Sequence, residues 1–104
     1  MLEVNNENYV QEVEQHDGLV VIDFWAPWCS PCKAMLPVFE SAAEQTANAK
    51  FVKINIDEAP ELAIKYKVRS VPTFHLTKNG ESLGVKMGQQ FAANFKQWVD
   101  EHSA

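Results

Sequence analysis

The chain contains two cysteines, Cys29 and Cys32, separated by two residues. They follow an apolar run, Leu19–Trp25, that is typical of a buried strand, and they precede a stretch with helical periodicity. Residues three apart at a helix start lie about one turn apart, so their Cα atoms fall near the roughly 5.5 Å that a disulfide needs. The positive end of the helix dipole also favours a thiolate on the first cysteine. The spacing therefore predicts dithiol–disulfide chemistry.

A carboxylate, Asp23, interrupts the apolar run just before the cysteines. Burying a charge is costly, so an acid in such a strand is expected to be desolvated and to have a raised pKa. The alternative is that Asp23 lies at a strand end and reaches solvent.

The bulk composition limits the classes of function. Nine basic and 14 acidic residues give a formal net charge of −5, which argues against nonspecific nucleic-acid binding. The 104 residues, 46% of them hydrophobic, suit one globular domain that covers residues 1–104. Met1–Glu7 lacks the features of a signal peptide, and the longest apolar run is too short for a membrane span. We therefore expect a cytoplasmic monomer without membrane attachment.

The elements that position the cysteines alternate between strand and helix. Strands are predicted at Leu2–Val4, Leu19–Trp25, Phe51–Ile56, Thr73–Thr77 and Ser82–Met87. Helices are predicted at Tyr9–Val13, from Pro31 to about Ala47, at Pro60–Tyr66 and near the C-terminus, and Asn79-Gly80 predicts a tight hairpin. The order β-α-β-α-β-α-β-β-α predicts an α/β fold with a central mixed sheet of about five strands, flanked on both faces by about four helices.

Aromatic side chains are expected to form most of the core. The set comprises Phe24, Phe39, Phe51, Phe74, Phe91, Phe95 and Trp98. His75 interrupts a strand that should be covered on both faces, so we expect a partly buried histidine with satisfied ring nitrogens.

Residues 25–33, Trp-Ala-Pro-Trp-Cys-Ser-Pro-Cys-Lys, on this order of elements, resemble the thioredoxin family. The resemblance covers nearly the whole chain. Further matches are Asp23, Pro37, Lys53, Val71-Pro72-Thr73, Lys78-Asn79-Gly80 and Gly88. It implies the thioredoxin fold and an enzyme that reduces protein disulfides.

The resemblance also implies roles for residues of the site. Cys29 would be the nucleophile, and we expect it to be the more exposed cysteine. Cys32 would be the resolving thiol, which attacks Cys29 and leaves a Cys29–Cys32 disulfide. Asp23 would take the proton from Cys32, with Lys53 as its neighbour. An ordinary exposed strand lysine is the alternative for Lys53.

The active-site loop would consist of Trp28, Ser30 and Pro31 around the cysteines. Ser30 stands where the family usually has glycine, so we expect a slightly less reducing potential than in the glycine form. Ser30 could stabilise the thiolate by bonding a sulfur or by capping the helix. Substrate would dock on an apolar patch of Trp28, Val71, Pro72 and Gly88, with a cis peptide bond before Pro72.

The resemblance implies no bound cofactor other than the redox-active disulfide. Electrons would come from NADPH, or from ferredoxin, through a thioredoxin reductase. The expected partners are this reductase and disulfide-containing proteins, in a role in electron transport and cell redox homeostasis.

Four other interpretations remain open. An oxidase or isomerase would typically carry histidine between the cysteines, where this chain has Ser30 and Pro31, and it would need export, of which the sequence shows no sign. A binding module with incidental thiols would keep its role after both cysteines are changed to serine. A metal site would need ligands from a second copy, since two thiolates do not complete a tetrahedral zinc shell, so no metal is expected. A purely structural disulfide is disfavoured because so short a loop gains little loop-closure entropy.

Overall fold

The computed structural model describes residues 1–103, which form a five-stranded sheet with helices on both faces. The strands are β1 (Leu2–Glu3), β2 (Leu19–Trp25), β3 (Ala49–Asn55), β4 (Thr73–Lys78) and β5 (Glu81–Met87). The helices are α1 (Ser30–Gln45), α2 (Pro60–Lys65) and α3 (Ala92–Ser103), and a π-helical segment, Val10–Glu14, follows β1. The predicted α/β fold with a mixed sheet is confirmed.

The strand order β1-β3-β2-β4-β5 puts β2, which carries Asp23, at the centre of the sheet. Strands β1 and β2 run parallel to β3, whereas β4 runs antiparallel to β2 and β5 antiparallel to β4. The predicted hairpin is present, and Asn79 and Gly80 have φ angles of +53° and +84°. The order of βα units predicts parallel strands, with antiparallel pairing only at this hairpin. This expectation was wrong for β4, which already runs antiparallel to β2, because the chain enters β4 from the opposite end of the sheet after residues 66–72.

The alternation of β2 divides the core between the two faces of the sheet. Val20, Ile22 and Phe24 pack under the π-helical segment and α2, whereas Leu19 and Val21 pack under α1 and α3. Side chains two apart on a strand share a face, so Asp23 lies on the α1 side. The sheet thereby places the acid below the helix that carries the cysteines.

The predicted aromatic core is confirmed except at one position. Phe24, Phe39, Phe51, Phe74 and Phe95 are buried, and Trp98 is partly buried against the same cluster. The expectation for Phe91 was wrong, because this residue precedes α3 and its side chain is 81% exposed.

His75 is buried on β4, as the sequence predicts. Its Nδ1 forms a hydrogen bond with Ser82 Oγ at 2.8 Å, and its ring packs on Tyr66 and Phe24 with centroid distances of 5.0 and 5.6 Å. Burial lowers the pKa of His75, so the ring is neutral in the folded protein at neutral pH.

The helix bounds differ from the predicted ones by one or two residues. The first predicted helix, Tyr9–Val13, is a π-helical segment of equal length at Val10–Glu14, and α1 ends at Gln45 rather than near Ala47. Within residues 1–103, every helix falls short of the length and apolar character that a membrane crossing would require.

Candidate active site

Cys29 and Cys32 form a disulfide, with their Cα atoms 5.3 Å apart. Cys29 is the N-cap of α1, and its Sγ accepts a hydrogen bond from the backbone N–H of Cys32 at 3.1 Å. Pro31 occupies the first turn, where its missing N–H leaves no helical bond unmade. A sulfur at the positive end of a 16-residue helix is favoured as a thiolate. Among residues 1–103, no three His, Cys, Asp or Glu side chains are grouped so that they could hold a metal ion.

Both cysteines are buried to the same extent, each with 4% of its surface exposed. The expectation that Cys29 is the more exposed was therefore wrong for the disulfide state. The physical reason is that the bond holds both sulfurs in one apolar cluster with Ala26, against which Val71 packs.

Asp23 is only 1% exposed, so the predicted burial of this carboxyl is confirmed. Among residues 1–103, its Oδ1 has no hydrogen-bond partner. Asp23 and Cys32 line the same cavity of about 60 Å³, together with Lys53. Desolvation raises the pKa of Asp23 to about 7, with attraction to Lys53 acting against this shift and repulsion from Glu3 adding to it. A carboxyl that titrates near neutral pH can both accept and return a proton.

Lys53 lies on β3 in register with Asp23 on β2. Its side chain is 15% exposed, which excludes the ordinary exposed lysine that the sequence left as an alternative. The ammonium lies 3.5 Å from Glu3 Oε1 and 4.4 Å from the centroid of the Trp25 ring. Lys53 therefore holds a positive charge at the edge of the Asp23 cavity.

Trp28 is 67% exposed beside the disulfide. Its indole Nε1 donates a hydrogen bond to Asp57 Oδ2 at 3.1 Å, and this bond fixes the orientation of the ring. Asp57 was not predicted as a site residue from the sequence patterns. The one available signal was its position just beyond β3, at the sheet edge where β2 runs into the cysteines.

Three backbone features lie near the cysteines. Val71 packs against the cysteine cluster, and the Val71–Pro72 peptide bond is cis. The N–H of Gly88 donates a hydrogen bond to the Pro72 carbonyl at 2.8 Å. Gly88 has a φ of +83°, a conformation that favours glycine, and an added Cβ would meet open space. Among these residues Pro72 is buried, Val71 and Gly88 are half-buried, and Trp28 is exposed. Their role in docking a substrate stays a prediction.

Ser30 is exposed and is the first residue of α1. The suggestion that Ser30 caps the helix was wrong, because the N-cap position and its hydrogen bond belong to Cys29. The hydroxyl nevertheless lies one residue from Cys29, so the expected effect on the redox potential stays a prediction.

Comparison with known proteins agrees with this architecture. The thioredoxin family model matches residues 1–101. The chain is 38% identical to the thioredoxin of Rickettsia bellii over 100 residues, which are 95% of each chain. It is 37% identical to thioredoxin 1 of Nostoc sp. over 101 residues, 96% of this chain and 94% of the relative. It is 41% identical to the thioredoxin of Porphyra purpurea over 87 residues, 83% of this chain and 81% of the relative.

Proposed function

The chain belongs to the thioredoxin family and is a thiol–disulfide oxidoreductase, and on this premise we propose that it reduces disulfides of other proteins as a general dithiol electron carrier. One observation carries this proposal: the Cys29–Cys32 disulfide at the start of α1 shares a cavity with the buried carboxyl of Asp23, whose pKa desolvation raises to about 7. We assign the activity to one domain that covers residues 1–104.

The first step is the attack of the Cys29 thiolate on one sulfur of a substrate disulfide. A bond forms between Cys29 and that sulfur, the substrate S–S bond breaks, and the second substrate sulfur leaves with the electron pair as a thiolate. The N-terminus of α1 supports this assignment, because its dipole and the Cys32 N–H favour negative charge on Cys29 Sγ.

The second step is the resolution of the mixed disulfide by Cys32. The Cys32 thiol gives its proton to the Asp23 carboxylate and attacks Cys29 Sγ. The Cys29–Cys32 bond forms, the bond from Cys29 to the substrate breaks, and the reduced substrate leaves as a thiolate that takes up a proton. The shared cavity supports this route because it has room for a water molecule that could carry the proton. Lys53 would favour the ionised form of Asp23 through electrostatic attraction.

Substrate binding is assigned to Trp28, Val71, Pro72 and Gly88, with Ser30 and Pro31 in the active-site loop. The exposed Trp28 ring and the packing of Val71 against the cysteine cluster support a docking surface for extended peptide. Exposed Met87 lies next to Gly88 and would add flexible apolar contact.

We further propose that a thioredoxin reductase recycles the disulfide with electrons from NADPH, or from ferredoxin. The protein would act as a cytoplasmic monomer in electron transport and redox homeostasis, without nucleic acid or membrane as a partner. The net charge of −5 supports this view, because it disfavours phosphate backbones and anionic lipid surfaces.

Reduction of insulin disulfides tests the proposal, first with dithiothreitol and then with NADPH and a thioredoxin reductase. We expect turnover in both assays, and none for Cys29→Ser. Turnover with dithiothreitol alone would contradict the proposed electron donor, and absence of turnover in both would contradict the reductase function and favour a binding module.

The Cys32→Ser variant is the matched control for the division of roles. It should accumulate a mixed disulfide with the substrate through Cys29, whereas Cys29→Ser should form none. Equal trapping by the two variants would contradict the assignment of nucleophile and resolving thiol.

A further inference from the structure

Three charged side chains lie in one row across three adjacent strands. Glu3 of β1 is in register with Lys53 of β3, and Lys53 is in register with Asp23 of β2. Both pairings are parallel, so the three side chains point to the same face of the sheet, below α1. Strand spacing places Glu3 and Asp23 about 10 Å apart across the row, with Lys53 between them.

The ammonium of Lys53 is engaged on the β1 side of this row. Among residues 1–103, the carboxylate within 4 Å of Lys53 Nζ is that of Glu3, at 3.5 Å. The ammonium also lies 4.4 Å from the centroid of the Trp25 ring, and this cation–π contact stabilises its position. Lys53 therefore attracts the Asp23 carboxylate electrostatically over a distance and does not form a direct ion pair with it.

We propose that Glu3 is a positioning residue that holds the Lys53 ammonium toward the β1 edge of the sheet, so that Asp23 remains able to exchange a proton with Cys32 near neutral pH. The inference rests on the proposed role of Asp23. It assigns a function to a half-exposed residue at the end of the sheet, far along the chain from the cysteines.

Two effects of Glu3 act in the same direction. Its negative charge repels an ionised Asp23, and its attraction for Lys53 weakens the interaction that would stabilise that ionised form. Among residues 1–103, the other titratable or charged residues that line the Asp23 cavity are Cys32 and Lys33 on α1, and the uncharged Phe74 lies opposite Asp23 on β4. Glu3 is therefore the carboxylate that offsets the charge of Lys53 at this site.

The consequence concerns the resolution step. When Glu3 is replaced by Gln, no carboxylate on β1 attracts the Lys53 ammonium. Lys53 then stabilises the Asp23 carboxylate more strongly, so Asp23 ionises at a lower pH. The acid-side limb of the pH profile for resolution should then move to lower pH, while attack by Cys29 on the substrate is unchanged.

The direct test is a ¹³C NMR titration of the Asp23 carboxyl in the oxidised protein, a readout that does not depend on turnover. For Glu3→Gln we expect the pKa of Asp23 to fall by about 0.5. Glu3→Asp keeps the charge and should lie closer to the wild type. Glu7→Gln is the matched control, since it removes an exposed carboxylate from the same terminal segment, and it should leave Asp23 unchanged.

A double-mutant cycle with Lys53→Met shows whether Glu3 acts through the lysine. We expect the effect of Glu3→Gln to shrink in the Lys53→Met background, since the remaining part is direct repulsion alone. An equal effect in both backgrounds, or an unchanged Asp23 titration in Glu3→Gln, would overturn the inference.

The pH profile of single-turnover release from a mixed disulfide then links the titration to function. The inference is supported if Glu3→Gln moves both the Asp23 titration curve and the pH profile of release to lower pH. If the titration shifts while the wild type fails to reduce insulin, the proposed function fails and the electrostatic role of Glu3 stands.

Discussion

Asp23 and Cys32 line one cavity of about 60 Å³ between β2 and α1. The relationship follows from local chain geometry, because β2 runs directly into the loop that begins α1. A residue near the end of the strand therefore lies under the first turn of the helix. An acid at that strand position can reach the thiol at that helix position without any long-range adjustment of the fold.

Replacing Asp23 by Asn should change how stability depends on pH. The pKa of Asp23 is about 7 in the folded protein and near 3.8 in the unfolded chain, so the folded state binds more protons between these values. Wild-type stability should therefore fall as pH rises through this window, by up to about 4 kcal/mol relative to Asp23→Asn. Urea unfolding of the oxidised proteins at pH 4.5 and 8 measures the difference.

Asp17→Asn is the control for net charge in that experiment, because it removes an exposed carboxylate. It should keep the wild-type pH dependence. If Asp23→Asn and the wild type lose stability in parallel between pH 4.5 and 8, the raised pKa of Asp23 is contradicted.

Sequence patterns were sufficient for features that depend on neighbouring residues. The apolar run Leu19–Trp25 predicted β2, the helical spacing predicted α1, and the interruption at Asp23 predicted a buried acid. Asn79-Gly80 predicted its hairpin because positive φ is a local preference. Each of these features is decided within a few residues of the chain.

Features that depend on which strands are neighbours could not be predicted in this way. The contact between Glu3 and Lys53 exists because β1 pairs with β3, and nothing in either segment specifies this pairing. The same holds for the bond from Trp28 to Asp57, which joins two loops at one edge of the sheet. The contact of Val71 with the cysteine cluster is likewise made by a loop that is distant along the chain.

The bond from Trp28 to Asp57 predicts a specific effect on substrate binding. Asp57→Ala should free the indole ring and weaken docking by about 1 kcal/mol, which is about a fivefold rise in KM with kcat little changed. Asp57→Asn keeps an acceptor oxygen and should restore most of the binding. A fall in kcat with KM unchanged would instead assign Asp57 to the chemical step.

Ser30→Gly should make the protein more reducing. The Ser30 hydroxyl lies next to Cys29 in sequence and can donate to a thiolate, which stabilises the dithiol state. Its loss should lower the potential by about 10 to 30 mV, measured by equilibration against glutathione. Ser30→Ala, which removes the hydroxyl without adding backbone freedom, should shift the potential in the same direction. A potential in Ser30→Gly equal to or above the wild type would contradict this prediction.

The buried His75 should make the fold sensitive to acid. Burial keeps the pKa of His75 in the folded protein below that of the unfolded chain, so the unfolded state takes up the proton first. The contribution of the neutral ring is complete above about pH 6.5 and is lost as pH falls below that value. His75→Leu should therefore gain stability over the wild type as pH decreases from 7.5 to 5.0, in thermal unfolding. His102→Gln, which removes an exposed histidine from α3 and keeps His75, should retain the wild-type acid sensitivity, and a His75→Leu curve parallel to the wild type would contradict the role of burial.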